Sequence, residues 1–282
     1  MAPRGFMQLY VIHVPLGNTA VSTVYAVLQR KSLPSYVELF QAVIDHFHSM
    51  ELYIDPITVV CDFEQGVIKA LQTALGPAIT IQGCFYHLTQ ATWHKIQELG
   101  LAPRYSTDEE FKLFCCQLDA LAFLPIEDIP VGMASLRENT PDGPMLQEAI
   151  AVLNQVMVRL AFGSRGFIHY PPAVWNVHEA TLAGEPRTNN QCEGWNNRFT
   201  HLIGYSHPTI WILTEAIQKD CFIRTQISED LIGNPPAKRV RRKQNNLQAR
   251  LLTLCQDRQS GRKTVTELLR GVGYNIRWKD TL

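Results

Sequence analysis

The chain has 282 residues, of which 46% are hydrophobic and 18% charged, so most of it can form a packed core of one large or two small domains. With 26 basic and 26 acidic side chains the net charge is +0, which excludes a global electrostatic case for nucleic acid and leaves only a local patch. No apolar run approaches the roughly 20 residues that span a bilayer. Seven cysteines, including the adjacent Cys115 and Cys116, form an odd set without a secretory leader, which argues for reduced thiols inside a cell.

Taken in chain order, Phe6 to Val14 reads as a strand and Val21 to Gln29 as its partner, joined by the turn chemistry of "PLGNTA". "LPSYVELFQAVIDHFHSM" reads as a helix, with Ser35 as N-cap, Glu38 at capping-box spacing and Val37, Phe40, Val43, Ile44 and Phe47 repeating at helical intervals. "ITVVC" is the next strand, followed by the helix "EQGVIKALQTAL"; "AITIQGCFYH" is a short strand running into the helix "LTQATWHKIQEL". This order implies an α/β mixed sheet with an antiparallel hairpin at its start. From Gly100 to about Val158 three segments carry helical periodicity, as a helical block set into that scheme. "RGFIHYPPAVWNVHEATLAGEP" is loop-like. A helix then starts near Thr188, a second covers "TIWILTEAIQKDCFIRTQIS", and a basic segment, "PPAKRVRRKQ", precedes the helical tail "NLQARLLTLCQDR".

Two carboxylates stand out. Asp62 ends a core strand where a helix begins. It is either a cap, with Gln65 at capping-box spacing, or a metal-binding acid at the C-terminal end of a sheet strand. Glu193 shares a helix face with Asn190 and Asn197, with Asn189 and Asn196 close by. Cys192, Trp195, Phe199, Leu202 and Ile203 form the adjoining apolar stripe. Asn is a poor helix former, and solvated faces ordinarily carry Lys, Glu and Gln, so this acid set among asparagines looks like a site.

"TLAGEPRTNNQCEGWNNRFTHLIGYSHPTIW" strongly resembles the corresponding segment of Mutator-like (MULE) transposases, particularly animal proteins that often carry a FLYWCH-type zinc finger. "QLYVIHV", "VVCDFEQGVIKAL", "GCFYHLTQATWHKIQELGL", "LDALAFLP", "VWNVHE" and "GRKTVTELLRGVGYNIR" fit that family in the same order. The resemblance implies an RNase H-like fold with a helical insertion. On it, residues 1–99 are the first part of the core and 100–172 the insertion. Residues 173–228 are the closing helices with Glu193, and 229–282 the basic segment and helical tail. It further implies an Asp-Asp-Glu triad holding two divalent ions, Mg²⁺ or Mn²⁺, for phosphodiester transfer. Motif by motif, Asp62 is the second acid and Glu193 the third. Cys84 and His87, in a Cys-x-x-His motif, and Asn190 and Asn197 become residues that orient the metal-binding acids or contact the DNA end. The implied partner is DNA and the implied location the nucleus; a second copy of the chain is allowed, and a membrane is not expected.

The first acid of the family lies in an Asp-Gly-Thr-Phe strand just upstream of the residues matched by "APRGFMQLYVIH", and this chain has no Asp or Glu before Glu38. The expectation is therefore a sheet lacking its first strand and a catalytically impaired transposase domain. The alternative from another class is a domesticated, non-enzymatic DNA- or protein-binding module. Structural zinc at Cys84 and His87 is disfavoured, because zinc needs four ligands and no second pair stands at matching spacing. Trp195 and Trp211 are read as core residues rather than base-stacking platforms. Lys238, Arg239, Arg241, Arg242 and Lys243 are expected on an exposed loop behind Pro235 and Pro236, where they would contact phosphates or direct nuclear import.

Overall fold

A computed structural model describes residues 2–16, 19–140, 170–232 and 242–276. They fall into two compact units, the first made of 1–59, 64–80 and 189–239, the second of 60–63, 81–188 and 240–282.

The first unit is built on an antiparallel hairpin of β1 (Gln8–Leu16) and β2 (Thr19–Leu28), in register from Gln8↔Leu28 to Leu16↔Thr19 with an irregularity at Ile12/His13. Alternation along the strands sends successive side chains to opposite faces. On one face Tyr10 meets Tyr36 and Phe40 of α1 (Leu33–Ser49), at ring separations of 5.7 and 6.0 Å. On the other, Leu9, Val11, Tyr25 and Val27 pack against Trp195, Phe199 and Ile203 of α9 (Asn190–Ile203) and Leu213 and Ala216 of α10 (Ile210–Ile232). The hairpin thus carries helices on both faces. α2 (Gln65–Leu75) lies along α1, where a Cβ at Gly66 would stand 3.3 Å from the Tyr36 ring.

The second unit is helical. It contains α3 (Phe85–Glu98), α4 (Ala102–Thr107), α5 (Glu109–Ala120) and α6 (Ile129–Glu138), then α7 (Pro172–Trp175), α8 (His178–Ala183), α11 (Arg242–Gln259) and α12 (Val265–Asn275). Its core includes Phe111, Leu118, Phe123, Trp175, Leu251 and Leu268. Asp108 starts α5 by accepting from the backbone N–H groups of Glu110 and Phe111, both at 3.0 Å, which satisfies two of the helix's orphan donors. α12, which the sequence reading did not assign, opens on a full capping box between Thr264 and Glu267.

Several expectations are corrected. The single mixed sheet is replaced, among the described residues, by two two-stranded sheets, β1–β2 and β3–β4, the latter from Thr58–Cys61 and Thr80–Gly83. The N-cap of α1 is Ser32, not Ser35. Pro34, which has no N–H to donate, sits in the first turn where that donor is not needed. Part of the loop-like stretch before Thr188 is helical, as α7 and α8. Leu202 is exposed rather than part of the buried stripe of α9, and Cys192 is only half-buried. The helix expected over 143–162 lies outside the described residues. No helix among the described residues is long and apolar enough to cross a membrane.

Candidate functional site

In the second unit, the end of β3 and the start of α3 bring three candidate residues together. The backbone N–H of Cys84 donates to Cys61 O at 2.9 Å, which holds the first turn of α3 against the strand end. Cys84 is the N-cap residue and fully buried. Three positions on, one helical turn further, His87 places Nδ1 3.0 Å from Asp62 Oδ1. The side chain of His87 is 25% exposed and that of Asp62 58%. Hydrogen bonding to Asp62 first, and to Cys84 second, outweighs the opposing effect of burial and pushes the His87 pKa up to about 10. The nearby carboxylate thus favours the protonated form of the imidazole.

The helix-cap reading of Asp62 is set aside, because the N-cap of α2 is Glu64. Glu64 has a different task in the first unit. Its Oε1 lies 2.6 Å from the hydroxyl of the fully buried Tyr36, whose oxygen is also 2.7 Å from Gln8 Oε1. One proton serves one acceptor at a time, and the carboxylate is the stronger.

Packing fixes the surroundings of Asp62 in the second unit. The Phe63 ring lies over Gly83, where a Cβ would come within 2.4 Å of it, so only glycine fits at the end of β4. Tyr170 donates its hydroxyl to Phe63 O at 2.5 Å and sets its ring against the Phe63 ring. Phe85 N–H donates to Arg187 O at 3.0 Å, tying the "EPRT" segment to α3. The Arg187 guanidinium is stacked 5.2 Å from the Phe123 ring and donates to Thr181 Oγ1 and Gln248 Oε1; burial lowers its pKa.

Glu193 belongs to the first unit, in the first turn of α9 behind the N-cap Asn189. It is half-buried, and Asn190 and Asn197 on its face are exposed. Beneath that helix lies a residue the sequence reading missed. Asp220 of α10 is 1% exposed and accepts from Ser22 Oγ (2.5 Å), Tyr25 OH (2.5 Å), Trp195 Nε1 (2.8 Å) and Arg198 Nη2 (2.6 Å). Burial opposes its ionisation. The three neutral donors and the Arg198 charge outweigh burial and hold its pKa below the ordinary carboxylate value. One signal was available. Leu213, Ala216 and Asp220 stand at i, i+3 and i+7, so the acid falls on the apolar stripe of its helix.

Two further expectations meet the structure. Trp195 is core, at 5% exposure, but Trp211 is 80% exposed and is no core residue, because it stands nearly opposite Leu213 on α10. Lys238, Arg239 and Arg241 lie outside the described residues, while Arg242 and Lys243 open α11 rather than lie on a loop.

Residues 4–91 match the family model of the MULE transposase domain. The match covers about the first third of the chain, from before β1 into α3, and so contains Asp62, Cys84 and His87 but stops short of Glu193. No curated protein and no solved structure gives a significant match. The mixed, helix-rich α/β architecture with small sheets is compatible with that family. Among the described residues no three His, Cys, Asp or Glu side chains are grouped to hold a metal ion, and Asp62 Oδ1 lies 3.0 Å from His87 Nδ1.

Proposed function

We propose that this chain is the DNA-acting domain of a MULE-type transposase of RNase H-like descent. Asp62 and Glu193 are then the second and third acids of its Asp-Asp-Glu set, and strand cleavage by the chain as given is impaired. The observation that carries this reading is the family match over residues 4–91, which includes the strand end bearing Asp62. The resemblance supplies the third acid, the nuclear setting, self-association and the choice of Mg²⁺ or Mn²⁺ as ion. His87 stands 3.0 Å from the Asp62 carboxylate, and the Cys84 N–H bond to Cys61 O anchors the turn of α3 that carries it. Loss of one member of a catalytic set commonly lowers rate by several orders of magnitude, which is the effect expected of Asp62→Asn and Glu193→Gln on this reading.

A second reading, a non-enzymatic DNA- or protein-binding module, is favoured by the 3.0 Å contact of His87 with Asp62, which engages one of the carboxylate oxygens. The deciding experiment measures duplex binding and strand cleavage with Mg²⁺ or Mn²⁺ for the chain, Asp62→Asn and Glu193→Gln. Salt-dependent duplex binding with weak cleavage that both substitutions abolish is the expected result. Binding with no cleavage selects the second reading. Robust cleavage lost on Glu193→Gln overturns the impairment.

A further inference from the structure

A charge drawn out of water is ordinarily met by an opposite charge, because desolvation disfavours a lone ion. Among the described residues, Arg187 in the second unit has no such partner. Its guanidinium is half-buried, 5.2 Å from the Phe123 ring. It donates from Nη1 to Thr181 Oγ1 at 3.1 Å and from Nη2 to Gln248 Oε1, and both acceptors are neutral. The acids nearest along the chain, Glu179 and Glu185, are exposed and make no ion pair with it. Burial depresses the pKa of Arg187, as it does for a cation that no carboxylate supports. A guanidinium carries five N–H donors in a planar fork, so these two bonds leave three for a ligand.

The fork is held in place. Arg187 O accepts from Phe85 N–H at 3.0 Å at the start of α3, two residues before His87. Thr181 is buried and donates in turn to Val177 O at 2.6 Å. Gln248 is exposed, so the fork meets the surface at α11. From Leu231 to Gln256 the chain has no Asp or Glu, and within that stretch α11 carries Arg242, Lys243 and Arg250. A planar guanidinium can give two parallel bonds to two phosphate oxygens, and cations spread along a helix favour a polyanion over a single ion. We propose that Arg187, beside Gln248 of α11, binds a backbone phosphate of duplex DNA, an inference that rests on the DNA-acting reading above.

The test gives Arg187 an internal anion. Gln248→Glu places a carboxylate where the guanidinium already donates, at an exposed position. Ala249→Glu adds the same charge at the next exposed position and serves as the control. The full chain is titrated into labelled duplex DNA at several salt concentrations, and Tm is read with and without inorganic phosphate. Gln248→Glu keeps or raises the parental Tm, weakens duplex binding roughly tenfold and flattens the log–log salt dependence by about 0.9, the share of one phosphate. Ala249→Glu does so far less. Arg187→Lys keeps the salt slope, because the charge stays, and binds more weakly, because the paired bonds are lost. Equal weakening by the two glutamate variants overturns the proposal, and so does a lowered Tm for Gln248→Glu. A raised Tm with unchanged duplex binding overturns it and makes Arg187 a structural tie. Inorganic phosphate that raises the Tm of the parent but not of Gln248→Glu, with equal duplex binding by both, overturns the DNA assignment and gives the site to a free phosphate. Each of these failures leaves the DNA-acting reading standing, whereas a parent that binds no duplex overturns both.

Discussion

Replacing Asp220 with Ala strips the first unit of a carboxylate that joins α10 to both α9 and β2. Four donors are then left without their acceptor. Tyr25 and Arg198 are partly exposed and can turn to water, and Ser22 Oγ keeps the Tyr25 hydroxyl at 2.6 Å, whereas Trp195 is buried at 5% exposure and cannot. A buried donor left unsatisfied costs about 1–3 kcal/mol, and removing one member of a buried charged network costs about 3–5 kcal/mol. The expected loss is therefore about 3–5 kcal/mol, a large fraction of a typical domain's stability. Asp220→Asn keeps the volume and one acceptor but turns an NH₂ toward the donors, so it falls between. The sign with pH follows from the depressed pKa. The carboxylate's contribution is fully present above the unfolded value near 3.9 and is lost as pH falls through the lower folded value. Urea unfolding at neutral pH and again near pH 3 measures both. The substitution's effect should shrink in acid as the carboxylate protonates. A loss below about 1 kcal/mol at neutral pH, or one that is the same at both values, refutes the argument that ionised Asp220 holds the unit together.

A histidine-resolved NMR titration should find His87 protonated well above the ordinary value of 6.5, near 10, and Asp62→Asn should bring it back toward that value. The stabilisation by this raised group is present below pH 6.5 and lost as pH rises through about 10; with Asp62 58% exposed, screening holds it to about 1 kcal/mol. Thr264→Ala removes the capping box of α12 and should cost about 0.5–2 kcal/mol by urea unfolding; no change would mean that packing onto α5 alone sets the start of the helix. Replacing Lys238, Arg239, Arg241, Arg242 and Lys243 with Ala should flatten the log–log salt dependence of duplex binding by about 0.9 for each phosphate no longer neutralised, and an unchanged slope would assign them to import or solvation.

Local signals were enough for the elements with strong periodicity and for their chemistry. The β1–β2 alternation, the stripe of Trp195, Phe199 and Ile203, and the Cys-x-x-His spacing that sets His87 one turn beyond the N-cap are all read within a few residues. So is the capping box at Thr264, a signal present but passed over. What the sequence by itself could not decide are matters of contact between distant segments. Asp62 fits a cap or a metal ligand on paper, and only the tertiary structure brings His87 to 3.0 Å from it. Asp220 is one more acid in an amphipathic helix until Ser22, Tyr25, Trp195 and Arg198 converge on it. Trp195 and Trp211 are the same residue type on neighbouring helices, one buried and one exposed. Periodicity assigns a face to each helix, but which face is covered depends on what the rest of the chain lays against it, and that is a property of the tertiary structure.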